Sequence, residues 1–306
     1  MTIFPRFLHG MALAALLALL ALAPGACAGH DHHAAAASDD AADDDAASDD
    51  VADDTGDDTG GSGTRYPIVL IHGFCGWGYL SNFAYFYGVA DRLAAEGYEV
   101  LEPQLTAVGT IEERAAQLAE QIDSAYPGRR VNLVAHSQGG VDARYLISSM
   151  GWGDRVASLT TIAAPHRGTA LADVAEGLIP NLGQEIIAQI MALLGWDWDA
   201  VGELTRSYMT TVFNPSNPDW PGVAYYSWYG DGADLWTPFI ATHAILALLE
   251  GCNDGVIGCD SAKWGILLGE LPADHAAEIG QPFGLIAFDW LGFYDGVAAF
   301  LRGQGF

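Results

Sequence analysis

An α/β fold, with a mostly parallel central sheet and helices on both of its faces, is what three observations in this 306-residue chain predict. Short, nearly continuous apolar runs recur at Tyr66–Ile71, Val131–Val134 and Ala157–Ala163, the pattern of strands buried on both faces of a parallel sheet. Segments with helical spacing separate them, and regular strand–helix alternation means parallel strands joined by crossover helices. The runs lead into His72-Gly73-Phe74, Ser137-Gln138-Gly139-Gly140 and Pro165-His166-Arg167-Gly168. Three loops therefore converge at the carboxyl ends of the strands, where sheets of this kind bind ligands.

Before the first run the composition cannot build a core. Residues 1–28 carry Arg6, an apolar stretch from Met11 to Ala23 and small residues at the exit, which is the layout of an export signal and too short for a stable anchor. Two processing readings compete. Ala26-x-Ala28 suits ordinary signal peptidase, whereas the small residues before Cys27 resemble a lipobox, with Pro24 in the place where leucine is usual. The tract that follows favours lipidation at Cys27, because residues 29–63 are rich in Ala, Asp, Ser and Gly and read as a disordered tether. His30-Asp31-His32-His33 within it reads as solvated chain. One domain, 64–306, is left, and with 51% hydrophobic residues the chain has ample material for its core.

Of 39 acidic residues, 12 lie before Gly61, against one of the 12 basic residues, leaving 27 acidic and 11 basic in the domain and a net charge of −16. So acidic a body excludes nucleic acid and anionic membrane surfaces as partners. Export permits disulfides. With Cys27 lipidated, Cys252 and Cys259 are near enough in sequence to close a small loop and Cys75 is left over; other pairings stay open.

Along the domain, Ser81 is a candidate cap for a helix running to Glu96 and ended by Gly97, with Tyr98–Leu101 as the next strand. Thr110-Ile111-Glu112-Glu113 is a capping box, and Ile111, Ala115, Leu118 and Ile122 continue at helical spacing. Val131–Val134 then drives into Ser137. After Ala157–Ala163 the sequence turns helical from about 171 to 208, with an apolar stripe at Ile186, Ile187, Ile190, Met191 and Leu194 followed by Trp196 and Trp198. It reads either as a core helix or as a lid whose greasy face covers a crevice. Val223–Trp228 returns as a strand, and Ile240–Leu249 is an apolar helical run.

The chemistry centres on Ala135-His136-Ser137-Gln138-Gly139. A serine hydroxyl is a weak nucleophile unless a base reaches it, and a sharp strand-to-helix turn holds it out at the end of a sheet. Small residues are needed two positions to either side, so the pattern is G-x-S-x-G with alanine for the first glycine. A histidine must take the serine's proton and a carboxylate must orient that histidine. Downstream lie His166, in a turn after a strand and suited to supporting the pocket; His243, inside the apolar helix; and His275, near the carboxyl terminus, the expected base. Asp254 is preferred over Asp231, Asp234 and Asp260 as the acid, since Asn253-Asp254-Gly255 is an ordered turn just ahead of His275. Negative charge on the attacked oxygen needs fixed donors, and the backbone amides of Phe74 and Gln138 are the candidates. His72 and His136 flank these positions and are read as pocket support.

Tyr66–Gly73, His136–Gly140 with Ala143-Arg144-Tyr145, Thr160-Thr161-Ile162 with Pro165–Gly168, Tyr225–Trp228, Asn253-Asp254-Gly255, and His275 with Gln281 and Phe283-Gly284 together resemble the Pseudomonas- and Burkholderia-type true lipases. The match runs in order from Tyr66 to about Leu285. It implies an α/β-hydrolase fold and places that family's nucleophile, acid and base on Ser137, Asp254 and His275. It also implies an exported lipase that cleaves ester bonds of acylglycerols at an oil–water interface, without a cofactor and with a folding helper. An esterase of short acyl chains or polyesters on the same residues is the alternative, and a non-catalytic surface binding protein is disfavoured by the intact serine, acid and histidine. The family's structural calcium is held by two aspartates. The one expected two residues after the base is Ala277 here, and the other is lost in Leu235–Pro238. No calcium is expected; were an ion held, Asp234, Glu278, Gln281 and Leu285 would be its ligands. The family's disulfide reaches a distant cysteine, whereas this chain offers the local pair Cys252 and Cys259.

Overall fold

A computed structural model of the chain describes residues 63–74, 84–179, 198–232, 239–281 and 287–306. The export signal, nearly all of the tether, Cys27, Cys75, Asp234, Leu285 and the stripe from Ile186 to Trp196 lie outside the described residues. Among the described residues one sheet of six parallel strands forms, in the order β2-β1-β3-β4-β5-β6. The strands are β1 Ile68–Ile71, β2 Val100–Leu101, β3 Val131–His136, β4 Val156–Ile162, β5 Ala224–Gly230 and β6 Ile266–Leu271. The helices that connect or cover them are α1 Val89–Ala95, α2 Ile111–Ala125, α3 Gln138–Ile147, α4 Ala170–Ala175, α5 Trp198–Gly202, α6 Ile240–Leu249, α7 Cys259–Ala262 and α8 Trp290–Gly303.

The apolar runs behave as two-sided strands. In β1 every residue is buried, yet Ile68 and Leu70 point into one core with Phe86, Leu93, Tyr294 and Leu301, while Val69 and Ile71 point into another with Leu118, Ile122 and Leu146. Successive side chains of a strand face opposite ways, so a run without polar alternation must be covered twice. Helices α1 and α8 supply one cover; α2 and α3 supply the other. Just ahead of β1 the Arg65 amide donates to the Phe306 backbone oxygen at 2.7 Å.

The capping box forms as the sequence predicts: Thr110 accepts from the Glu113 amide and the Glu113 carboxylate accepts from the Thr110 amide. One expectation is corrected and one strand is added. The helix expected from Ser81 begins only at Val89, and residues 84–88 are not helical. Tyr85 and Phe86 are instead drawn into the core beneath the site. The edge strand β6 was not singled out by its sequence, because its apolar run is only Ile266-Leu267-Leu268, set between Gly265 and Gly269-Glu270. The two described ends of the expected lid segment pack as ordinary core, with Leu171 and Val174 of α4 against Val201, Leu204 and Leu246.

Candidate active site

The turn between β3 and α3 holds Ser137 at φ 56° and ψ −134°, a conformation that costs a non-glycine residue on the order of 1–3 kcal/mol and persists only where the surroundings enforce it. The enforcement is visible as two close approaches. A Cβ on Gly139 would stand 2.7 Å from the Ile71 carbonyl oxygen and 2.8 Å from that of His72. A Cβ on Gly73 would stand 2.5 Å from the Ser137 Cβ and 2.8 Å from the Tyr85 hydroxyl. The elbow and the loop after β1 thus press together with no room for a methyl group, which brings the Phe74 and Gln138 backbones to one end of the sheet. Ala135 tolerates its own methyl because it sits within β3, fully buried among Leu133, Ala143 and Leu146.

The structure brings three of the sequence-selected side chains into one hydrogen-bonded chain. Ser137 Oγ lies 3.0 Å from His275 Nε2, and His275 Nδ1 lies 2.8 Å from Asp254 Oδ2. All three residues are buried. Asp254 stands on the tight turn its neighbours predict. The Asn253 side chain accepts from the Gly255 amide at 2.9 Å, and Gly255 has φ 93°, which glycine adopts without strain. The other Asp254 oxygen, Oδ1, accepts from the amides of Val256 and Ile257 at 2.8 and 2.6 Å. The His275 amide donates to the Asp254 carbonyl at 3.0 Å, tying the two loops together. A disulfide joins Cys252 to Cys259 across the turn.

A second buried group lies beneath. Glu278 Oε2 is 2.9 Å from His136 Nε2, and His136 Nδ1 is 2.8 Å from the Tyr85 hydroxyl. The His136 and His275 rings are 4.4 Å apart. Burial, followed by the charges of Asp254 and Asp274, raises the Glu278 carboxyl well above its ordinary range; burial, then His275, lowers His136 well below its own. Both shifts favour the uncharged forms, in which a protonated Glu278 would donate to His136 Nε2 and Nδ1–H to Tyr85. Tyr85 and the inward direction of Glu278 were not legible in the sequence, since their partners stand 51 and 142 positions away. His72 is neutral as well, at about 4 through burial and the nearby Arg114. His166 is buried against Thr161, at 3.0 Å, and the Trp264 ring, apart from the Ser137–His275–Asp254 chain.

Of the calcium candidates among the described residues, Glu278 sets Oε2 against His136 and keeps a buried Oε1 without a hydrogen-bond partner, Gln281 uses its side-chain NH2 on the Ala84 carbonyl at 3.1 Å, and Ala277 has no side-chain ligand. His136, His275 and Glu278 approach one another closely enough to suggest a ligand set. Both nitrogens of each ring are already hydrogen-bonded, however, so an ion would have to break the chain from Ser137 to Asp254. Asp231 with Cys252 and Cys259 is no better, since a disulfide supplies no thiolate.

Residues 66–190 match the family model of the alpha/beta hydrolase fold. The chain is 31% identical over 257 residues to a triacylglycerol lipase of Vibrio cholerae, covering 72% of this chain and 82% of that protein. It is 28% identical to a triacylglycerol lipase of Pseudomonas fragi, covering 71% and 89% respectively. Among solved structures, a Bacillus licheniformis lipase in mature form superposes with a TM-score of 0.61 at 21% identity, over 79% of this chain and 93% of that one.

Proposed function

Because the chain belongs to the bacterial true lipases of the α/β-hydrolase superfamily, and so is a serine ester hydrolase, we propose that Ser137, His275 and Asp254 carry out its reaction. The hydrogen-bonded run from Ser137 Oγ through His275 to Asp254 Oδ2 is the observation that supports this reading. Ser137 Oγ attacks the ester carbonyl as its proton passes to His275 Nε2. The imidazolium so formed is held by Asp254, which is itself fixed by two backbone amides. Charge on the carbonyl oxygen is met by the amides of Phe74 and Gln138. The tetrahedral species collapses when His275 returns the proton to the leaving alcohol, giving the acyl-enzyme. Water, activated by the same histidine, releases the acid and restores Ser137.

The substrate is an acylglycerol presented at an oil–water interface. In support, α6 beside the site carries no Asp, Glu, Lys or Arg, its Leu248 is 80% exposed, and Phe239 at its head sets its ring edge-on to His275 at 6.2 Å. Domain limits of 64–306, export directed by residues 1–28 and attachment through Cys27 belong to the same reading. Two measurements test it. Ser137→Ala should abolish hydrolysis of every ester and labelling by a fluorophosphonate, and activity near the parent level would remove the site assignment. Rates on emulsified triolein should exceed those on dissolved butyrate esters and rise at the emulsion threshold; equal or better rates on the dissolved ester would make the enzyme a short-chain esterase.

A further inference from the structure

Arg114, in the first turn of α2, is completely buried, a rare place for a guanidinium. Its three nitrogens hold three separate parts of the chain. Nε donates to Asp142 Oδ2 on α3 at 2.7 Å, Nη1 to the Thr106 carbonyl at 2.5 Å, and Nη2 to the His72 carbonyl at 2.6 Å. The His72 ring closes the same assembly, since Nε2 accepts from the Leu105 amide at 3.0 Å and Nδ1 donates to the Gly73 carbonyl at 2.9 Å. One side chain therefore joins the helix that begins just after Ser137 to the segment that carries Phe74, at the place where Gly139 leaves no space between them.

We infer that Arg114, paired with Asp142, is the positioning residue of the oxyanion donors. It fixes the His72 carbonyl relative to α3, and so sets the distance and direction of the Phe74 amide relative to that of Gln138. The inference rests on Ser137 being the nucleophile. Its physical content is the narrow tolerance of such a site: donors must stand 2.7–3.1 Å from where the oxyanion develops, not from the ground-state carbonyl. An apolar side chain would fill the same volume, but it has no donor for the His72 carbonyl. Loosening this tie therefore acts on the transition state and leaves substrate binding alone.

Arg114→Lys keeps a positive charge opposite Asp142, but an ammonium lacks the planar fork that serves three acceptors together. It should lower kcat on a dissolved butyrate ester by about 10- to 100-fold. KM should hardly change, and affinity for a trifluoromethyl ketone, whose adduct carries the oxyanion, should weaken by the same factor as kcat. The double variant Arg114→Met/Asp142→Leu removes both buried charges and keeps the core filled, so it serves if the lysine variant does not fold; its kcat should stay low while its thermal midpoint stays near the parent's. Parent-like kcat in either folded variant, or a loss confined to KM, overturns the inference. Ser137→Ala run alongside separates the failures. Hydrolysis surviving in that variant sinks the nucleophile reading and this inference with it, whereas an inert Ser137→Ala beside an unimpaired Arg114→Lys sinks the positioning role alone.

Discussion

Removing the bridge between Cys252 and Cys259 tests whether the acid loop is held by its disulfide or by its backbone. The perturbation is Cys252→Ser with Cys259→Ala, the latter because Cys259 is buried. The bridge spans a sequence separation of 7. In the chain-entropy picture, closing a loop of about eight residues restricts the unfolded chain by roughly 2.5 kcal/mol at 25 °C. For a domain of this size that corresponds to a midpoint lowered by about 5–10 °C. The folded loop keeps its other ties: the Cys259 amide on the Cys252 carbonyl at 3.0 Å, the Asp254 amide on the Ile257 carbonyl at 3.2 Å, and the two amides on Asp254 Oδ1. The effect should therefore fall on the unfolded state, with kcat at 25 °C within about a factor of two of the parent, less than 0.5 kcal/mol. Calorimetry and initial rates on one preparation decide it. A kcat reduced tenfold or more with an unchanged midpoint would refute the reasoning, since the disulfide would then be shaping the native position of Asp254.

Three further outcomes are expected. Gly139→Ala must move two backbone carbonyls, from 2.7 Å towards the 3.4 Å of ordinary contact, and the resulting shift of about 0.7 Å between elbow and loop should cost 10- to 100-fold in kcat, while parent-like rates would show that the elbow yields freely. Glu278 keeps its proton when folded but loses it in the unfolded chain above about 4.5, so its contribution to stability is present at low pH and falls as pH rises. Glu278→Gln, which cannot ionise, should match the parent near pH 4 and gain on it steadily to pH 8 in denaturant titrations; a gap that narrows with pH would mean the carboxylate is charged in the fold. Treatment with EDTA should leave activity and thermal midpoint unchanged, and a drop of several degrees restored by micromolar calcium, but not by matched ionic strength, would reveal an ion site.

The sequence by itself determined the elements whose signals are local. A run such as Ile68–Ile71 has to be covered on both faces, so it announces a central parallel strand, and Thr110 with Glu113 satisfies its own helix start. Of the side chains that meet in one hydrogen-bonded chain, Ser137 and Asp254 carry short-range signatures, small residues around the serine and Asn and Gly around the aspartate, whereas His275 was marked only by its place downstream of both. Edge strand β6 was not legible, because its apolar run stops after Ile266-Leu267-Leu268 at Gly269-Glu270, too short to tell from a loop. Only the tertiary structure decided what stands behind the site. Arg114 reads as one more charge on an amphipathic helix until Asp142 and the His72 carbonyl close around it, from 28 and 42 positions away. Glu278 reads as an ion ligand until it turns inward to His136, 142 positions away. Burial makes these partners obligatory, because a polar group cut off from water must find its hydrogen bond within the protein, and which group supplies it is set by how the layers pack rather than by spacing along the chain.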